Sequence, residues 1–280
     1  MHILVTNDDG VLEPGILALA DTMRDLGKVT VLGPDRDWSG GGHVKTYQRP
    51  LRVKEVTLED GTLAYASDGA PSDCVALALL GFVREKVDLV VSGINPYANM
   101  GHDVTYSGTV TAAMEAVING VPGIAVSLAG DEENHEFHFD TAAFVARNVV
   151  KTVLDLGMMR DLLLNVNVPN LTLDKLRGTQ VTRQGMRVYN AVLDRRRDPR
   201  GEPYYWIGGS FPSGVPDPGT DIGAIAEGFA SITPLHLDLT EYRRTQQLST
   251  LYWGDMRPVV RNGRYLPAHS DMLIQDSLTE

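Results

Sequence analysis

Near the amino terminus an apolar run, Ile3-Leu4-Val5, ends in Thr6-Asn7-Asp8-Asp9-Gly10. A short, uninterrupted run of this kind reads as a strand buried on both faces, as at the centre of a parallel sheet. In open α/β sheets ligands lie off the carboxyl ends of the strands, so the polar end of the run falls where a functional group is placed. Adjacent carboxylates repel, and burying both without a cation is costly. Two readings of the stretch stand at this point: a polar turn, or a site for a divalent cation that relieves the repulsion.

The next segments of the chain fix the fold class. Pro14-Gly15 opens a helix with Ile16, Leu19, Ala20, Met23 and Leu26 at helical spacing and Gly27 as its stop, and residues 28–32 read as a second strand closed by Gly33-Pro34. That is a βαβ unit, whose crossover is right-handed. The alternation continues with strand-like runs at 51–56, 63–66, 87–92 (running into Gly93-Ile94-Asn95), 123–128 and 162–169. Helical patterns fall at 72–83, capped by Ser72 or Asp73, at 109–119, and at 141–156 with the stripe Ala142, Val145, Val149, Val153 and Leu156. An α/β core with a doubly wound, mostly parallel sheet is expected over residues 1–175.

Beyond 175 the texture changes. Residues 184–189 and 204–207 look like an extended hairpin joined by a charged turn at 195–201, residues 211–223 read as loop, and 229–235 as a last strand returning to the core. The tail from Arg261 is expected to be mobile or held by a partner subunit.

Composition narrows the function. The chain has 280 residues, 43% hydrophobic and 22% charged, as in ordinary globular proteins. A formal charge of −11 argues against a nucleic-acid polymer as partner. The single Cys74 excludes an internal disulfide framework and a cysteine zinc site, and its apolar surroundings read as a buried, inert thiol. No charged leader and no membrane-spanning run is seen, so a cytoplasmic location without a membrane partner is expected.

Polar loops after three strand-like runs carry the chemistry: Asp8-Asp9, Ser39-Gly40-Gly41, and Asn95 with its extension to Thr109. Their carboxylates, hydroxyl and carboxamide are oxygen ligands, which suit magnesium, manganese or calcium. Glycines allow backbone amides near an anion, and Ser107-Gly108-Thr109 opens a helix whose first N–H groups favour phosphate. A cation beside an amide-lined nest describes phosphate-ester chemistry. Neither GxxxxGK[ST] nor a GxGxxG after the first strand is present. The aspartates are adjacent rather than spaced by one residue, which favours attack by a metal-activated water over an aspartyl-phosphate. His43 and His102 each read either as a phosphate contact or acid, or as a surface loop residue. His135 and His138 lack a third ligand nearby. The Arg195-Arg196-Arg197 run reads as a solvated tip, or as an aid in drawing in an anionic substrate.

Residues 3–10, Pro34-Asp35-Arg36 with Ser39-Gly40, Ser92-Gly93-Ile94-Asn95 and Tyr106-Ser107-Gly108-Thr109-Val110 together resemble the SurE (survival protein E) family. These are divalent-metal-dependent phosphatases acting on nucleoside monophosphates. Weaker echoes at 69–75, 165–169 and 231–235 extend the resemblance over nearly the whole chain. It implies a Rossmann-like core, and a smaller strand-rich part, 176–280, that exchanges elements between subunits to give a homodimer or homotetramer. It implies one Mg2+ or Mn2+ per subunit, held by residues matching Asp8, Asp9, Ser39 and Asn95. The phosphate would lie against Ser107, Gly108 and Thr109, with Asn99 near and Gly40, Gly41 and His43 completing the substrate contacts. Asp8, Asp9, Asn95 and Ser107 would be the catalytic group of a 5′-nucleotidase, with 3′-monophosphates as further candidate substrates. Tyr97, Thr111, Ala116 and Trp38 depart from the family pattern, and Tyr97 and Trp38 are candidates for stacking on a nucleobase. A non-catalytic nucleotide-binding sensor on the same fold is the alternative. A metal-dependent glycosyltransferase is a third reading, for which no acceptor domain is evident.

Overall fold

The computed structural model of the chain describes residues 1–131, 136–253, 259–261 and 264–266. The chain forms two compact units, Met1–His236 and Leu237–Glu280. Residues 176–236, grouped by the sequence with the carboxyl-terminal part, thus lie in the first unit.

In chain order the first unit runs β1 (His2–Thr6), α1 (Pro14–Met23), β2 (Lys28–Pro34), β3 (Val53–Thr57), β4 (Leu63–Ser67), α2 (Pro71–Leu77), β5 (Leu89–Asn95), α3 (Gly108–Ile118), β6 (Gly123–Ala129), α4 (Phe139–Asp155), β7 (Leu163–Pro169), β8 (Thr179–Val181), β9 (Arg187–Arg197), β10 (Pro203–Gly214), α5 (Asp221–Ala226) and β11 (Ala230–Pro234). The second unit contains α6 (Tyr242–Ser249), β12 (Val259–Arg261) and β13 (Arg264–Leu266).

Among the described residues the main sheet has nine strands in the order β3-β4-β2-β1-β5-β6-β7-β11-β8. The run from β4 to β7 is parallel, β3 is an antiparallel edge, and β11 lies antiparallel to β7. This is the expected α/β, doubly wound architecture, and β1 sits at its centre. Because β-strand side chains alternate, Ile3 and Val5 pack on one face with α1 and α4, while Leu4 packs on the other with α2 and α3. All five residues of β1 are buried, as its sequence demands. From β1 the chain winds first toward β2 and β4, then returns to β5 on the opposite side. The order reverses between β1 and β5, so the crevice at their carboxyl ends is the switch point where ligands of such sheets bind.

Several expectations shift. The helix expected to reach residue 83 ends at Leu77 and passes into a π-helical turn, Ala78–Phe82, where Gly81 takes φ +115°. Its cap is the Asp73 carboxylate, accepting from the Ala70 amide at 3.0 Å. Arg195, Arg196 and Arg197 belong to β9, and the reversal comes at Asp198, whose side chain accepts from the Arg200 and Glu202 amides. The stretch 211–223 is not one loop: β10 continues to Gly214, and Thr220 caps α5 by accepting from the Gly223 amide at 3.0 Å. The three-residue edge strand β8 and the helix α6 carried no recognisable pattern. Most of the tail expectation, and His135, lie outside the described residues.

Candidate active site

Asp8 and Asp9 come directly after β1 at the switch point, and Gly10 turns the chain with φ +127°. Asn7 closes this turn, donating its amide to the Gly10 carbonyl at 2.7 Å. Asp8 is 3% exposed. Its Oδ1 accepts from the Thr109 hydroxyl, and the Thr109 amide also donates to the carboxylate. The amino terminus of α3 therefore rests on Asp8, and Gly108 lets it approach: a Cβ there would lie 2.7 Å from that of Asp8. The Thr109 groups expected against phosphate are thus engaged with Asp8.

Burial nevertheless pushes the Asp8 carboxyl above the ordinary range, against the Thr109 hydrogen bonds that pull it down. Asp9 is pushed up to about 8, first by burial and then by the charges of Asp8, Asp37 and Glu13. Among the described residues neither carboxylate has a lysine, arginine or histidine within ion-pair distance. A carboxylate pair of which Asp8 is buried and Asp9 partly buried, with no cationic side chain beside it among the described residues, fits a bound divalent ion. No cluster of three or more His, Cys, Asp or Glu side chains is found among the described residues, so a zinc-type set is not offered there.

The other proposed ligands are held ready by local bonds. Asp37 accepts from both the amide and the hydroxyl of Ser39, at 2.7 and 2.6 Å, which leaves the Ser39 lone pairs free. Asn95 ends β5 and donates its amide to the Tyr97 carbonyl at 2.5 Å, so its side-chain oxygen remains as an acceptor. The loop after β2 is drawn to the other two: the Trp38 amide donates to the Asp8 carbonyl at 2.8 Å, and the Gly42 amide to the Tyr106 carbonyl at 2.9 Å. Gly40 and Gly41 form the tight turn between, with the Gly41 amide on the Trp38 carbonyl at 2.9 Å. Ser107 caps α3, accepting from the Val110 amide at 3.1 Å.

Other candidates are placed elsewhere. His43 faces Glu115 on α3, with Nε2 3.1 Å from Oε2, and Lys45 donates to Oε1 at 2.6 Å. These bonds, with Thr46 on Asp73, lash the glycine-rich loop to α2 and α3. Asn99 is buried: its side-chain nitrogen donates to Ser127 at 2.8 Å, and its backbone carbonyl accepts from the side chains of Asn165 and Asn167. His102 is exposed on a 3-10 turn, Gly101–Thr105, and the His138 amide donates to Asn170. Arg36 lies 4.8 Å over the Trp38 ring, and Tyr97 packs edge-on against Phe137 with ring centres 5.9 Å apart. Cys74 is fully buried, and burial pushes its thiol far up, as an inert thiol should be.

Glu115 sets a pH test. Burial acts to raise its pKa, but hydrogen bonds from His43, Lys45 and Asn119 outweigh it and hold the carboxyl below the ordinary 4.5. A depressed carboxyl contributes stability that is present above the unfolded-state value and lost as pH falls through the folded-state value. Glu115→Gln is therefore expected to cost about 1–3 kcal/mol in urea denaturation at pH 7. The gap should close as the solution is acidified below 4.5. An equal gap at both ends would show that the charge contributes nothing.

Sequence reasoning missed Asp37, Glu115 and Asp221. Asp221 is fully buried and accepts from the amides of Gly101 (2.8 Å), Gly185 (2.7 Å) and Ile222 (2.8 Å), joining the Asn95–Thr109 loop to the segments before β9 and at α5. Asp103 adds a second tie, accepting from Arg187 and from the Tyr189 hydroxyl, whose pKa rises to about 12 through burial and that bond. The only sequence signal was an aspartate directly after a Gly-Thr turn.

Comparison with known proteins places the chain in a family. The family described as Survival protein SurE matches residues 3–191. A protein named 5'-nucleotidase SurE from Herpetosiphon aurantiacus is 52% identical over 255 residues, 91% of this chain and all of the relative. One of the same name from Legionella pneumophila is 48% identical, covering 90% and 97%. The crystal structure of Sure protein from Aquifex aeolicus superposes with a TM-score of 0.75 at 41% identity, covering 89% of this chain and 98% of that one.

Proposed function

The chain belongs to the SurE family, and from that premise we propose that it is a divalent-metal-dependent phosphatase that hydrolyses nucleoside monophosphates to nucleoside and phosphate. The observation that carries this reading is the Asp8-Asp9 pair at the switch point, Asp8 buried and Asp9 partly buried, with no cationic side chain in ion-pair reach among the described residues. Relatives named 5'-nucleotidase support the substrate class.

Asp8, Asp9, Ser39 and Asn95 would hold one Mg2+ or Mn2+, a hard-ion set of oxygen atoms. Such an ion, when bound, neutralises phosphate charge and lowers the pKa of water at the site. The chain's own groups do the rest. Thr109 fixes the Asp8 carboxylate in one orientation, and Asp37 does the same for the Ser39 hydroxyl. Asp8 and Asp9 are the groups able to take a proton from the attacking water. The Gly40 and Gly108 amides lie on the loops that border the pair, where N–H groups would stabilise charge on the phosphoryl oxygens, while the Gly41 and Ser107 amides are held by the Trp38 and Asp103 carbonyls.

A homodimer or homotetramer goes with this reading. The β9–β10 ribbon exposes Trp206 (62%) and Val192 (60%) on one face and Ile207 (86%) on the other, apolar surfaces that a second copy would cover through the proposed oligomerisation part, residues 176–280. No described helix is long and apolar enough to cross a membrane. The cytoplasm, where nucleotide pools are held, is the proposed location.

Phosphate release from a panel of nucleoside 5′- and 3′-monophosphates tests the function. EDTA is expected to abolish release, and added Mn2+ or Mg2+ to restore it. Tight nucleotide binding with no release under any metal would establish the sensor module instead.

A further inference from the structure

Beside Asp9 opens a cleft of about 560 Å³, within the size of small-molecule sites. It runs along the carboxyl edge of the sheet away from the switch point, lined in strand order by Asp9 and Glu13 after β1, Asp35, Arg36 and Asp37 after β2, Ala66 and Asp68 at β4, and Arg52, Lys54 and Val56 at β3. Three strand spacings of about 4.8 Å separate β1 from β3 in this order, roughly 14 Å in all. Less the reach of a lysine side chain, this leaves the span of a nucleoside. Val56 and Ala66 give the floor an apolar stretch, with Lys54 directly opposite Ala66 in the β3–β4 register.

Most lining carboxylates away from Asp9 are already engaged. Asp37 accepts from Ser39, Asp35 pairs with Arg36 at 3.3 Å, and Asp68 pairs with Arg49 at 2.9 Å while accepting from the Arg52 amide. Arg52 stands 3.9 Å from Asp68, and Lys54 has no partner among the described residues. The cleft thus has a metal-type carboxylate pair at one end and an uncommitted cation at the other.

We infer that the β3 end of this cleft binds a second anionic group on the leaving side of the substrate, and that the favoured substrate class is a nucleoside bisphosphate, with Lys54 as the specificity-determining residue and Arg52 beside it. This deepens the proposed function and rests on the phosphatase reading of Asp8-Asp9. The reaction itself is unchanged: water oxygen bonds to phosphorus, the ester P–O bond breaks, and the leaving oxygen takes up a proton. The second phosphate stays on the nucleoside, held by the lysine.

The test compares kcat/KM for adenosine 3′,5′-bisphosphate with that for the better of adenosine 5′- and 3′-monophosphate, in the Mn2+-loaded protein and in Lys54→Met and Lys54→Glu. Lys54 is exposed on an edge strand, a position that tolerates substitution. A ratio of about ten is expected in the native protein, carried by KM and fading with added salt. It should fall to about one in Lys54→Met and below one in Lys54→Glu. A native ratio of one, or a ratio untouched by Lys54→Glu, overturns the inference. If no substrate releases phosphate, the phosphatase reading falls, and calorimetric binding of the same nucleotides then decides the subsite. Tighter binding of the bisphosphate in the native protein but not in Lys54→Met supports it, and equal binding overturns it.

Discussion

Asp8→Asn is expected to lower kcat/KM for phosphate release about a thousandfold or more at saturating Mn2+, with the fold intact. The substitution keeps the side chain's volume and one oxygen to accept from the Thr109 hydroxyl, so α3 retains its seat on the end of β1. On the proposed reading it removes a negative metal ligand and a group able to take a proton from the attacking water. Loss of a single preorganised electrostatic contact in an active site costs about 100- to 1000-fold, and here two roles fall together. The checks are steady-state phosphate release and a circular dichroism spectrum matching the native protein. Activity within tenfold of native would remove Asp8 from both roles.

Asp221→Asn is expected to destabilise the protein by about 3–5 kcal/mol although it lies outside the proposed catalytic group. Three backbone amides point at the Asp221 carboxylate, two on Oδ1 and one, from Gly101, on Oδ2. An amide side chain must turn its N–H group toward one of these donors, leaving both unpaired in a fully buried place. Urea denaturation of the two proteins reads the difference directly. Because Gly101 begins the 3-10 turn that leads to Ser107, phosphate release should fall as well, through KM more than kcat. A loss below about 1 kcal/mol would mean that the tie is not what holds this loop.

The parts of the molecule that are legible in the sequence are those set by local pattern. β1, β5, β6, β7 and the second half of β2 are buried on both faces, so their apolar runs announce them, and the polar residues that end β1 and β5 mark the switch point. What escapes depends on pairings between residues far apart. His43 in a glycine loop looks like a phosphate contact until α3 is folded beside it and Glu115 takes it, 72 positions away. Thr109 reads as a phosphate donor because helix termini favour anions, and the anion it meets is Asp8. Asn165 and Asn167 alternate along β7 and so share a face, which explains how both reach the Asn99 carbonyl, but the strand alone does not say what they bind. The hairpin misplacement is of another kind. Three arginines suggest a solvated turn, yet Asp198 and Gly201 next to them carry the turn chemistry.

The central claim is that the Asp8-Asp9 pair is built around a divalent cation, and calorimetric titration of Mn2+ into the metal-free protein tests it most directly. One site per chain is expected in the native protein, with binding lost or weakened at least a hundredfold in Asp8→Asn. Absence of binding in the native protein, or the same affinity in both, would contradict the account.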